Sequence, residues 1–176
     1  KIQCFPKLHW ENEFQIAHSI KLKKMEWTLD DDDLLKNPLL NFDGQKRIKK
    51  LCNIHNIAIS SITGDCFMQK PFWKIKNNKK ILHFLKQIIL SSGELGIKYI
   101  VIPLVDNGSI ENDSQKKNLM IICKKHEKYL KQSKVNIIFE SDFKPRALSK
   151  FIKKFNNKYF GINYDTGNSA SLNYDI

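Results

Sequence analysis

The chain has 176 residues, with 30 Lys or Arg against 18 Asp or Glu and a formal net charge of +12. This length suits one domain with a sizeable core, and no repeat, Pro/Ser linker or shift in composition marks a second. No apolar run approaches the roughly 20 residues of a membrane helix, and four scattered cysteines without a C-x-x-C pair argue against a disulfide framework or a zinc finger.

After an opening loop, residues 11–20 (ENEFQIAHSI) have helical spacing with Phe14, Ile16, Ala17 and Ile20 inward. Residues 23–30 (KKMEWTLD) read as a strand. Residues 42–56 (FDGQKRIKKLCNIHN) place Ile48, Leu51, Cys52 and His55 on one helical face and lysines on the other. A strand at 57–62 (IAISSI) precedes a long helix through 81–96, where Gly96 suits a C-terminus. A strand at 97–106 (IKYIVIPLVD) leads into a helix over 114–134 with Leu119, Ile122, Cys123 and His126 aligned. The strand 135–142 (VNIIFESD), the helix 144–155 with Leu148, Phe151, Ile152 and Phe155 inward, and the strand 159–165 (YFGINYD) complete the pattern.

Five strands alternating with five helices predict a parallel sheet. An open doubly wound sheet and a (β/α) barrel both fit that alternation. No G-x-G-x-x-G or P-loop follows a strand, which weakens the nucleotide-binding forms of the open sheet. Every strand instead ends in polar or acidic residues: Asp30, Asp65, Asp106, Glu140 with Asp142, and Asp165. Barrel enzymes gather their chemistry on that rim. The expected fold class is therefore α/β, a (β/α)8 TIM barrel. Eight units take about 250 residues, so residues 1–176 are expected to be a single, partial barrel domain, truncated at both ends.

Strand parity sharpens the choice of site. Asn136, Ile138 and Glu140 share one face of their strand, and Gly161, Asn163 and Asp165 share one face of the next. Ile162 and Tyr164 take the other face, toward helices. Glu26, Thr28 and Asp30 alternate in the same way with Met25, Trp27 and Leu29. Asp30, Asp65 and Asp106 taken singly read as helix caps or loop salt bridges, and Asp31, Asp32 and Asp33 as a solvated loop. Glu140 and Asp165 stand apart, at the tips of adjacent strands with matched inward parity. Two close carboxylates repel unless a cation lies between them, which points to one divalent ion. Oxygen ligands favour Mg²⁺ or Mn²⁺, and an added imidazole would admit Zn²⁺ or Co²⁺.

His18, His55, His83 and His126 fall on helical segments and read as packing residues. His9, in the opening loop, is on the rim side and remains a candidate. Asp106 and Asn107 are rim residues able to hydrogen-bond a ligand, with a turn built by Asn-Gly as the competing account. Asn168 is placed to contact substrate or cap its loop, and the short residues of TGNSAS suit backbone passing close to a ligand. Lys70, Lys74 and Arg146 are phosphate-binding candidates by charge alone. The net charge invites a nucleic-acid reading, but stretches such as GQKRIKKLC and FIKKFNNK place lysines at exposed helical registers. A nucleic-acid partner is not expected. With neither a signal-peptide pattern nor disulfides, a cytoplasmic protein is.

The segments FPKLHWENEFQIAHSIKLKKMEWTLD, LGIKYIVIPLVDNGSI, IIFESD and above all YDTGNSASLNYD together resemble the sugar phosphate isomerase/epimerase family, the xylose-isomerase-like TIM barrels. Hexulose-phosphate isomerases and ribulose-phosphate 3-epimerase-like members look most similar. The resemblance runs through essentially the whole chain and makes its strands the second through sixth of the barrel. It implies one divalent metal ion, with Glu140 and Asp165 as its ligands after the fifth and sixth strands. The His and Glu expected after the seventh and eighth have no counterpart here. It implies further a sugar or sugar phosphate as substrate, proton transfer through an enediolate, and Glu140 as one acid/base. A homo-oligomer is compatible with it. Endonuclease IV, a DNA-repair nuclease of the same superfamily, is the alternative. Its motif resembles D-T-C-H, whereas this chain has DTGN with Asn168 in place of the histidine, and ISSITGDCF also lacks a histidine. A catalytically inactive fragment is the third reading.

Overall fold

The structure, a computed structural model, describes residues 4–75 and 79–174. Five strands, β1 (Lys24–Thr28), β2 (Ala58–Thr63), β3 (Tyr99–Leu104), β4 (Asn136–Ser141) and β5 (Phe160–Ile162), form one parallel sheet in the order β1-β2-β3-β4-β5. A doubly wound sheet reverses direction at a switch point. This sheet never reverses, and each strand lies beside the next as staves do in a barrel. The order decides between the two architectures that alternation alone left open.

Register explains why the two faces of the sheet differ. Trp27, Ile62, Ile100, Ile137 and Phe160 form one row across all five strands, and every one is buried. The adjacent row on the opposite face is Thr28, Thr63, Val101, Ile138 and Gly161, smaller and more polar. The first face carries the helices and the second is the inner face of the barrel wall. A bulge between Met25 and Glu26 shifts the β1–β2 pairing by one residue, so that Glu26 pairs with Ser61 and alternation is kept beyond it.

Among the described residues there are seven α-helices: α1 (Trp10–Ser19), α2 (Phe42–His55), α3 (Asp65–Gln69), α4 (Lys79–Glu94), α5 (Asp113–Ser133), α6 (Pro145–Ile152) and α7 (Thr166–Ser171). Side-chain caps start α2 and α5. Asn41 accepts from Gly44 N at 2.8 Å for α2, and Asn112 accepts from Gln115 N at 3.0 Å for α5. Asn56 and Lys134, both left-handed, end these helices. Aromatic side chains fill the space between sheet and helices. Phe139 of β4 lies 5.6 Å from Phe151 of α6, 5.1 Å from Phe155 and 6.2 Å from Phe160 of β5 (ring centroids).

Several expectations need correction. TGNSAS is not an open loop but the short helix α7, because Asp165 caps its first turn. A second unexpected helix, α3, follows β2 directly. On α1 only Trp10, Phe14 and Ala17 are buried, while Ile16 and Ile20 face solvent. Ile162 and Tyr164 are also exposed rather than packed on helices. They lie at the end of β5 and just past it, at the edge of the sheet, where no further strand pairs among the described residues.

Candidate functional site

The ends of β4 and β5 meet at the C-terminal rim. The ladder continues one step past β5, where Asn163 N donates to Phe139 O at 2.9 Å, so the Asn163 side chain lies beside that of Glu140. Asn163 Nδ2 donates to Glu140 Oε2 at 3.0 Å. Asn168, in the first turn of α7, donates through Nδ2 to Glu140 Oε1, also at 3.0 Å. The backbone of the same residue turns to the other acid: Asn168 N donates to Asp165 Oδ1 at 3.2 Å, and Gly167 N donates to that oxygen at 2.6 Å. Glu140, Asn163 and Asn168 are half-buried and Asp165 is exposed. Asn168 thus contacts both of the carboxylates expected to share a site, Glu140 through its side chain and Asp165 through its backbone.

Amide donors thus supply part of the compensation that was expected to need a cation. They do not use up the donor capacity of the acids. Asp165 Oδ2 accepts no hydrogen bond among the described residues, and each Glu140 oxygen keeps a further lone pair. Two hard oxygen donors fit part of the shell of an oxygen-preferring divalent ion. No group of three or more His, Cys, Asp or Glu able to hold a metal occurs among the described residues. The pair would account for two ligands and no more.

A second cluster braces the rim. The Ser109 hydroxyl, beyond β3, donates to Asp142 Oδ2, and Tyr174 OH donates to the Asp142 carbonyl at 2.9 Å. The connections after β3, β4 and α7 are thereby tied together. Sequence reading placed Asn163 on the inner face without pairing it to Glu140, and gave no role to Ser109 or Tyr174. Matched parity on adjacent parallel strands was the signal available for Asn163; for Tyr174 there was none. Asp175, the last acid of the motif, lies outside the described residues.

The remaining candidates have other surroundings. Asp30 is buried and accepts from Phe5 N at 2.7 Å and Gln69 Nε2 at 3.0 Å, anchoring the opening loop. Asp65 is buried at the start of α3. Asp106 and Asn107 are exposed, and Asn107 Nδ2 donates to Met68 O and Gln69 O, closing the end of α3. His9 is exposed at the start of α1 and makes no side-chain cap bond.

Asp31, Asp32 and Asp33 are not simply solvated. Lys70 pairs with Asp31 at 2.6 Å, Lys7 with Asp32 and Asp33, and Lys36 with Asp33. The Asp32 carboxylate holds the Lys7 ammonium above its usual value, and Lys36, then Lys7, holds Asp33 below its own. Lys74 pairs with Glu111 at 2.6 Å. Two of the three phosphate candidates are therefore already engaged, and Arg146 is exposed on α6.

His126 is buried, with Nδ1 2.8 Å from Ile122 O and Nε2 3.2 Å from Leu82 O; His18 Nδ1 lies 2.8 Å from His55 O. His126 has the packing role expected, whereas His18 and His83 are exposed and His55 is half-buried. Burial, then the nearby Asp31 and Asp65, pushes the Cys66 thiol far up, as for a cysteine that packs in the core. A cleft of about 400 Å³ opens between the first loop, the 30–41 segment and α2, lined by Trp10, Asn37 and Arg47 among others. Neither Glu140 nor Asp165 borders it.

No family model matches the sequence, and no curated protein matches it. Solved structures do match the fold. A sugar phosphate isomerase/epimerase from Parabacteroides distasonis ATCC 8503 is 17% identical with a TM-score of 0.67, over 94% of this chain and 62% of its own. A xylose isomerase-like TIM barrel protein from Mycobacterium smegmatis, in complex with magnesium, is 14% identical with a TM-score of 0.69, over 93% and 58%. A D-psicose 3-epimerase from Clostridium cellulolyticum H10, with D-tagatose, is 11% identical with a TM-score of 0.72, over 92% and 59%. This chain spans 58–62% of the length of these three proteins. At such identities the likeness is one of fold, and the fold is that of the xylose isomerase-like TIM barrels, of which these five strands make a continuous part.

Proposed function

We propose that this chain carries part of the active site of a metal-dependent sugar or sugar-phosphate isomerase or epimerase, close in kind to the hexulose-phosphate isomerases and ribulose-phosphate 3-epimerase-like enzymes. The observation that carries the reading is the convergence of Glu140 and Asp165, from adjacent strand ends, on Asn168 at the rim. Solved proteins of this fold include sugar epimerases and magnesium- and zinc-containing members, which is why a sugar and a divalent ion are the ligands proposed.

Glu140 and Asp165 would hold the ion, Mn²⁺, Mg²⁺, Co²⁺ or Zn²⁺. Bound there, such an ion would supply positive charge to offset the negative charge of an enediolate. Glu140 would be the residue that moves the proton at the carbon next to the carbonyl, for which its position matters before its acidity. Proton exchange on the opposite face calls for a second acid/base, and neither Asp165 nor the rim asparagines supply it. Asp106, Asn107, Asn168 and His9 are the residues proposed to meet sugar hydroxyls. The cysteines make no disulfide among the described residues, and the cytoplasm is the compartment proposed.

The test is Mn²⁺ or Co²⁺ titration of the full chain by calorimetry, beside Glu140→Gln and Asp165→Asn. One weakly held ion per chain, lost in both variants, is the expected result. With two of its ligands present, the chain alone is expected to show no sugar turnover. Metal binding that survives both substitutions removes the basis for the site.

A further inference from the structure

We propose that Asn163 and Asn168 are positioning residues for Glu140, and that Asn168 also sets the spacing between Glu140 and Asp165. The two carboxamides come from different places, one just past β5 and one from the first turn of α7. They reach opposite oxygens of one carboxylate at the same distance, 3.0 Å. A carboxylate only accepts, so each carboxamide must turn its NH₂ toward it. With both oxygens held, rotation of the Glu140 carboxylate plane would break two bonds at once, and the side chain is confined to one orientation.

Asn168 adds a second constraint. Its backbone N–H is bound to Asp165 Oδ1 while its side chain is bound to Glu140 Oε1. One residue thus spans the two acids, and the Asp165 cap of α7 is what holds Asn168 in place. Helix α7 is short and, apart from Ala170, made of weak helix formers, so the cap and the carboxamide bond support each other. The role of Asn168 toward the ion rests on the functional reading above, but the hydrogen-bonded arrangement does not.

The experiment has two arms so that these can fail separately. The first follows the side-chain NH₂ signals of Asn163 and Asn168 by ¹⁵N–¹H NMR in the full chain without metal. In Glu140→Ala both pairs of signals are expected to move toward free-carboxamide positions. In Glu140→Gln, which keeps a single carbonyl acceptor, only one Asn can go on donating to an oxygen, and the two pairs should respond unequally. Signals unmoved in both variants overturn the proposal.

The second arm is Mn²⁺ affinity of Asn163→Leu and Asn168→Ala, with thermal unfolding checked alongside. Outer partners of metal ligands typically contribute about 10- to 100-fold in affinity, and a loss in that range with folding retained is expected. Affinity unchanged in both variants overturns the positioning role. If the unsubstituted chain binds no Mn²⁺, the metal site fails, and the amide signals alone then decide whether the asparagines orient Glu140.

Discussion

Asp165 caps α7 through one oxygen, which accepts from the N–H groups of Gly167 and Asn168, and its other oxygen is the one available to the proposed ion. Substitution separates the two roles. Asp165→Asn keeps an acceptor for the cap and removes the charge, so it should leave thermal stability nearly unchanged while abolishing metal binding. Asp165→Ala removes both, and loss of an N-cap costs about 1 kcal/mol, read as a lower urea midpoint at unchanged slope. Equal stability of the Asn and Ala variants would show that the cap contributes nothing. At this scale sequence parity already set Glu140 and Asp165 on matching faces of their strands. What it could not supply was the intermediary, because Asn168 meets Glu140 only through the fold of a helix that six small residues, weak helix formers apart from Ala170, do not announce.

At the scale of elements, the β4–α6–β5 unit is held by a cluster of rings with Phe139 at its centre, fully buried. This unit bears the site, since Glu140 is the next residue along β4. Phe139→Ala should destabilise the protein by about 3 to 5 kcal/mol, the usual cost of removing a buried phenyl group. Denaturant unfolding measures it, and a cost below about 1 kcal/mol would mean that the cluster does not hold the unit together. The helices of the long amphipathic stretches were legible because one stripe of each must be apolar. α3 and α7 were not, having five and six residues and no periodicity to show. The outward turn of Ile16 and Ile20 on α1 escaped notice for a related reason: periodicity marks which residues can be buried, while the neighbours present determine which are.

At the scale of the molecule, ion pairs help to link the loops on the rim. Lys74, in the segment after β2, pairs with Glu111, just before α5, and holds that carboxyl below its usual value. A lowered folded-state pKa means the pair contributes above the carboxyl's ordinary value and is lost as pH falls through the lowered one. In a ¹³C NMR titration, Lys74→Met should raise the Glu111 midpoint toward that of a free glutamate; an unmoved midpoint would show the pair to be absent in solution. The same scale settles the architecture. Alternating strands and helices are compatible with two sheets, and the unbroken order of five neighbouring strands selects the barrel wall.

The sequence by itself determined the class of the fold and the number of strands, and it set Glu140 and Asp165 on matching faces of their strands, because burial imposes a period of two on strands and that period is local. Only the tertiary structure decided which strand lies beside which, that Asn163 and Asn168 grip Glu140, and that the acids after β1 are tied into ion pairs. Those outcomes depend on residues 23 to 39 positions apart brought within 3.2 Å, and no local pattern records such distances.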